Sequence, residues 1–346
     1  MHPLLYILLF ALALLFVFLT LAAYTTYAER RIAAFIQQRV GPNRVGPLGL
    51  LQPAADAVKL LLKEDIVPAN ANRFVHFLAP VIAVTLAVCS LAMLPLADGL
   101  MFFDANIGVL YLLATGSIAV YGVTLSGWGS NSKYSLLGGL RSSAQMISYE
   151  LAMGLSVVSV VLLSNHFAPE GSEYLRISTI AEAQKDVWFV FVNPIGFLIF
   201  ATALIAEANR APFDLVEAEQ ELVGGFHTEY SSMKFGAFYL AEYLHVIIGS
   251  GFITALFLGG YQIPFAGFMG VESWPPLVLT VAQVSAFMLK MFFFIFVYIW
   301  IRWTLPRFKY NQLMDIGWKR FLPISLVNLM VMALVLLLLT QYSTAG

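Results

Sequence analysis

The chain has 346 residues, 60% of them hydrophobic and only 11% charged, with a formal net charge of −1. That composition excludes a disordered chain and a water-soluble domain and points to a polytopic membrane protein. The near-neutral charge gives no footing for nucleic acid, and a single cysteine, Cys89, can neither close a disulfide within the chain nor ligate an iron–sulfur cluster.

A helix needs about 20 mostly apolar residues to cross a bilayer. Eight stretches qualify: about 3–27, 74–97, 107–127, 144–164, 188–207, 236–259, 277–301 and 320–341. They are apolar all round rather than alternating, so helices are predicted and a barrel is not. The first lacks a basic region ahead of it and is too long for a signal-peptide core, so it reads as a retained span. Small residues recur in the third and fourth spans (Ala114, Gly116, Ser117, Ala119 and Gly122; Ala152, Gly154 and Ser156), which predicts close helix contact there. The expected fold is all-α and integral to the membrane: one domain over 1–346, with eight transmembrane helices and an amphipathic interfacial helix.

Lys and Arg set the orientation. Sixteen lie in the loops 28–73, 128–143, 208–235 and 302–320, against two, Arg176 and Lys185, on the opposite side; Lys290 lies within a span. The positive-inside rule then places those four loops in the cytoplasm and both termini outside.

The first cytoplasmic loop contains GLLQPAADAVKLLLKED, with apolar residues at 50, 51, 54, 58, 61 and 62 at helical spacing. Asp56, Lys59 and Lys63 fall on the other face, and Pro53 suits a first turn. The pattern fits a helix along the interface, either a plain surface anchor or the wall of an opening that admits a lipid-soluble ligand. Just upstream, Glu29, Arg30 and Arg31 end the first span, where snorkelling is the plain explanation. The Gly-Pro pairs that follow stiffen the turn.

The stretch PFDLVEAEQEL, 212–222, holds four carboxylates, Asp214, Glu217, Glu219 and Glu221, and no Lys or Arg. If 213–222 is helical, Asp214, Glu217 and Glu221 share a face, and like charges at that spacing destabilise a helix. The carboxylates must face water, meet cations from another chain, or share protons through raised pKa values. Phe213, Leu215, Val216, Leu222, Val223 and Phe226 are interleaved with them, unlike a solvated loop. Within the membrane lie Glu150, Glu242 and Lys290, with Glu207 near the end of the fifth span. Such residues face a bundle interior and mark ion or proton routes, although a Glu242–Lys290 pair pinning two helices is an equal alternative. His245 shares a face with Glu242 and reads as a core residue rather than a ligand. Nucleotide-binding glycine motifs and metal-ligand spacing are absent from the sequence.

GLLQPAADAVKLLLKE at 49–64, PFDLVEAEQELVGG at 212–225 and the upstream ERRIAAFIQQRVGPNRVGP together resemble the H subunit of bacterial NADH:quinone oxidoreductase, respiratory complex I, known in mitochondria as subunit 1. The resemblance implies a subunit of that enzyme, in the bacterial inner membrane, with no catalytic residue, metal ligand or cofactor of its own. FMN and iron–sulfur clusters would sit on partner subunits, and quinone would be the substrate. Hydrophilic-arm subunits carrying the terminal cluster and the quinone head site, small neighbouring membrane subunits and lipid would be its partners, and nucleic acid would not. The implied quinone chamber is bordered by Arg30, Arg31, Phe35, Gln52, Asp56, Lys59, Phe213 and Phe226. Proton coupling is implied for Asp214, Glu217, Glu219, Glu221, Glu207, Glu150 and Glu242. The third span carries no carboxylate, so a path must run through spans four to six and water. The alternatives are the equivalent subunit of a membrane-bound hydrogenase, or a stand-alone ion transporter. A transporter would be expected to show inverted repeats and broken helices, which the sequence does not suggest.

Overall fold

A computed structural model of the chain describes residues 3–169, 171–216, 219–264, 271 and 274–345. Among these, helices make up every regular element, and the one β-type pairing is an isolated bridge between Ala97 and Leu100. The helices are α1 (Pro3–Ile36), α2 (Gln52–Leu62), α3 (Arg73–Leu91), α4 (Gly108–Gly129), α5 (Lys133–Phe167), α6 (Ile177–Glu182), α7 (Phe189–Val192), α8 (Pro194–Glu207), α9 (Glu219–Leu222), α10 (Ser232–Phe257), α11 (Pro276–Thr304), α12 (Tyr310–Asp315) and α13 (Leu322–Ala345).

Seven of these segments are long and apolar enough to cross a membrane, so the chain is a multi-pass membrane protein. The fifth expected span takes another form. Asn193 breaks it, with φ −130° and ψ 66°, and Pro194 starts a 14-residue helix whose first turn the Asn193 side chain caps at the Gly196 N–H. At 1.5 Å per residue, α8 covers about 21 Å, less than the roughly 30 Å hydrocarbon core. In the opposite sense, α5 runs for 35 residues and absorbs most of the expected loop 128–143.

The central element is α10. Seventeen of its 26 residues are buried, more than any lipid-facing helix could hide, and α1, α3, α8 and α11 pack around it. Glycines let neighbours approach closely: a Cβ on Gly122 would sit 3.1 Å from the Ala83 Cβ, and one on Gly127 only 2.3 Å from the Ser135 carbonyl oxygen. These are close contacts of α4 with α3 and α5, and Gly122 is one of the small residues that predicted close contact in the third span.

Beside α10, α2 lies with Leu60 and the half-buried Gln52, Ala55 and Asp56 on its inner side, while Lys59 is exposed. Leu60 packs over Gly236, the Ser232 hydroxyl donates to the Leu60 carbonyl at 3.0 Å, and Lys234 pairs with Asp65 at 2.9 Å. Val58, Leu61 and Leu62 point outward, and Leu62 is 82% exposed.

At the other end of α10, Lys290 from α11 does not pair with Glu242. Its ammonium donates to the carbonyl oxygens of Leu258 (2.7 Å), Gly260 (3.0 Å) and Gln262 (2.7 Å) and lies 4.8 Å from the Trp188 ring centre. An ammonium has three donors, and here each finds a carbonyl, so the charge pins the turn after α10.

Candidate functional site

Because α8 is short, its C-terminus falls well inside the bundle. Glu207, its last residue, touches Gly116, the ninth residue of the 22-residue α4. The irregular backbone that follows is therefore deep, and it is covered by protein: Ala208, Arg210 and Phe213 are all buried. Non-helical backbone at such depth is tolerated only under such cover or beside a polar cavity.

Arg210 is the centre of an ionic hub. Its Nη1 donates to Glu29 Oε2 of α1 at 2.9 Å, its Nε contacts Glu242 Oε1 of α10, and its guanidinium lies 4.3 Å from the Tyr243 ring centre. Glu29 also accepts from the Tyr243 hydroxyl at 3.0 Å and from Arg302 of α11. Two guanidinium groups face two carboxylates, so the hub is close to neutral. Burial works against the Arg210 charge, and the Glu242 and Glu29 carboxylates beside it offset that cost. The hub ties α1, α10, α11 and the loop after α8 together. Glu29, read in the sequence as a snorkelling end, is in fact 6% exposed.

Three cavities meet at Glu207. The first, about 50 Å³, is lined by Glu242, His245, Asn209 and Glu207 together with His227 and Phe226. The second, about 20 Å³, runs past Glu207 and His245 to Ser90, which donates to Thr115 at 2.8 Å. The third, about 10 Å³, connects Glu207 with Glu150 between Ser117 and Tyr149. One water needs about 10–15 Å³ on this measure, so the first has room for several and the third is at the threshold for one. Glu150 accepts a hydrogen bond from Ser117 and also borders a wider groove that opens sideways past Gly154 and Leu322. Thus α4 contributes no carboxylate, yet Gly116 makes room for Glu207 and Ser117 binds Glu150.

The acidic loop differs from the helix considered for 213–222. Among the described residues of 213–222, only Glu219–Leu222 is helical, a single turn. Glu217 lies outside the described residues, as does the side chain of Glu219. Phe213, Leu215, Val216 and Leu222 are all at most 4% exposed, so most of the interleaved apolar residues anchor the loop in this chain's own core. Phe213 packs between Tyr149 and Phe308, with ring centres at 5.2 and 5.5 Å. Asp214 is half-buried. Glu221 pairs with Arg141 of α5 at 2.6 Å, and that hydrogen bond holds its carboxyl below the usual range. Burial drives His227 down to about 4, so it is neutral at pH 7.

The residues expected around a chamber fall into two groups, one at the α1–α2 junction and one on the loop after α8. Arg30 donates to Asp56 at 2.6 Å, and Gln52 donates to the other Asp56 oxygen at 3.0 Å, joining α1 to α2. Arg31 lies over Tyr27 at 5.9 Å, Lys59 is exposed, and Phe35 is 85% exposed. Phe226 lines the first cavity and Phe213 does not.

Sequence reasoning misread Glu29 as a surface end and missed the roles of Tyr243, Arg302, Arg141 and Gly116. A signal existed for Glu29 and Arg302: membrane-depth carboxylates demand cations, and Arg210 and Arg302 flank the spans nearest to them. Among the described residues, no group of three or more His, Cys, Asp or Glu could hold a metal ion.

A family model described as NADH dehydrogenase matches residues 9–333. NADH-quinone oxidoreductase subunit 8 of Rhodothermus marinus is 56% identical over 96% of this chain and 97% of its own length. The H subunit of NADH-quinone oxidoreductase from Salinibacter ruber is 55% identical, over 90% of this chain and 91% of its own. An H subunit from Geobacter metallireducens is 49% identical, over 93% and 94%. With most of its length matched by the family model and by relatives 49–56% identical to it, the chain belongs to the NADH dehydrogenase family, as a membrane subunit of an NADH-quinone oxidoreductase.

Proposed function

We propose that this chain walls the membrane side of a quinone chamber and couples quinone reduction to proton movement through Glu242, Glu207 and Glu150. The observation that carries this reading is the meeting of three water-sized cavities at one carboxylate, Glu207, with Glu242 at one end and Glu150 at the other. Intramembrane carboxylates are costly, and a structural role would be served by ion pairs alone; Glu207 has no hydrogen-bond partner among the described residues.

In this reading α8 with α7 is the eighth crossing, both termini lie outside, and α2 lies on the interface with its outward Val58, Leu61 and Leu62 against lipid or partner protein. Arg30, Arg31, Phe35, Gln52, Asp56 and Lys59 border the chamber mouth. Phe226 closes its inner end, and Phe213 supports the loop from behind. Reduction of a quinone takes up protons. Asp214, Glu217, Glu219 and Glu221 sense that change on the loop, and the loop passes it to the hub through Arg210. Close carboxylates titrate as a set, so one added or removed charge shifts the others. Hydrophilic-arm subunits that bring electrons through iron–sulfur clusters cover the loop, and neighbouring small membrane subunits meet Glu150 at the lateral groove.

The test is Glu207→Gln in the whole complex. NADH:quinone activity and proton release should fall together, while NADH oxidation by a water-soluble acceptor at the hydrophilic arm stays unchanged. Unaltered quinone-linked proton release in an assembled complex would contradict the reading.

A further inference from the structure

Glu242 and Glu207 share the first cavity, but no hydrogen bond joins them among the described residues, and Glu242 is engaged by Arg210. A proton moving between them must cross through water or through an intermediate group. The first and second cavities have three lining residues in common, Glu207, Ala208 and His245, and of these only His245 could serve as a relay to Glu207. His245 is three residues beyond Glu242 on α10 and so projects from the same face. Its ring has no protein hydrogen-bond partner among the described residues. A polar ring in the core of a bundle without a partner is expensive unless water satisfies it, and both adjoining cavities hold water-sized space.

We infer that His245 relays protons between the Glu242 side of the cavity system and Glu207; this rests on the proton-path reading above. A neutral imidazole has one donor and one acceptor nitrogen. The acceptor nitrogen takes a proton from water beside Glu242, and the other nitrogen releases its proton to water beside Glu207. The ring returns neutral with its tautomer exchanged, and turning the ring or passing a proton back restores it. One proton enters and one leaves, and no other reactant is consumed. The remaining titratable groups around the first cavity, His227 and Tyr239, lie toward its loop end and do not reach the second.

The test uses the intact complex in membranes, with His245→Asn, His245→Ala and Glu207→Gln compared by assembly, by NADH oxidation with a water-soluble acceptor, and by NADH:quinone activity with proton release. His245→Asn keeps polarity and bulk but cannot relay by titration. It should assemble, keep the soluble-acceptor rate, and lose about tenfold in quinone-linked rate, a modest share of what acid–base groups contribute. Added imidazole should restore a large part of the rate to His245→Ala and none to Glu207→Gln. If Glu207→Gln is impaired but His245→Asn is not, the relay is wrong and the path stands. If His245→Asn is impaired but imidazole does nothing for His245→Ala, the histidine is structural and the relay is again wrong. If Glu207→Gln is itself unimpaired, the path reading fails first.

Discussion

Glu207 and Gly116 occupy one space: a Cβ on Gly116 would lie 2.6 Å from Glu207 Oε1. The third membrane helix therefore supports the carboxylate by having no side chain at that point. Gly116→Ala should push Glu207 off its position at the meeting of the three cavities. Overpacking of this kind costs about 1–3 kcal/mol. We predict a complex that still assembles but shows a several-fold lower NADH:quinone rate, with the soluble-acceptor rate unchanged. A wild-type quinone rate would show that the Glu207 position is not critical.

The Arg210 hub predicts a graded series. Arg210→Met leaves Glu29 and Glu242 as buried carboxylates short of a cation, and breaking a buried pair costs roughly 3–5 kcal/mol. Tyr243→Phe removes one hydrogen bond to a charged group, about 1.5–3 kcal/mol. Assembled complex per cell, measured on native gels, should fall sharply for Arg210→Met and mildly for Tyr243→Phe. The reverse order would show that the hub is not organised around Arg210.

The Arg30–Asp56 pair separates stability from function. Its side chains are 50% and 25% exposed, and such pairs are worth only about 0–1 kcal/mol. Asp56→Asn should leave assembly intact. If this pair borders a chamber mouth, the same variant should raise the KM for quinone while the soluble-acceptor rate holds. An unchanged KM would move the mouth elsewhere.

His227 predicts a pH dependence. Burial lowers its folded value to about 4 from the ordinary 6.5. Between those limits the displaced, solvated loop binds the extra proton and the packed one does not. The stability of the 225–227 turn is therefore full above pH 6.5 and declines as pH falls toward 4. Hydrogen exchange at Phe226–Tyr230 should accelerate over that window, and His227→Phe should abolish the acceleration. Equal pH dependence in both proteins would assign it to another group.

Lys290 predicts a structural effect only. Lys290→Met removes the donor for three carbonyls of the 258–262 turn, so assembly should drop. The surviving complex should keep its wild-type ratio of protons moved to electrons transferred. A changed ratio per assembled complex would place Lys290 on the proton route.

Much of this was legible in the sequence, for reasons that can be named. Long apolar runs and the Lys and Arg imbalance revealed the membrane class because each follows from local composition. Gly116, Ser117 and Gly122 marked the close contact of α4 with its neighbours. The break at Asn193 was less visible, because an Asn-Pro pair inside an apolar run can either kink a span or divide it. The acidic loop was read as a possible helix by its spacing, but Phe213, Leu215 and Val216 bury themselves in this chain's core and pull the backbone out of helical form. Partners that depend on distant segments could not be read at all: Glu29 with Arg210 is separated by 181 residues and with Arg302 by 273. Lys290 looked like a partner for Glu242 because both are membrane charges, but backbone carbonyls satisfied it first.

Protonation along the Glu242–Glu207–Glu150 line should change when quinone is reduced. The most direct measurement is a redox-difference infrared spectrum of the intact complex, wild type against Glu207→Gln. A carboxyl C=O stretching signal on quinone reduction should be present in the wild type and lost or reshaped in the variant. Identical difference spectra in two assembled complexes would mean that Glu207 does not change protonation, and the line of cavities would then be only packing space.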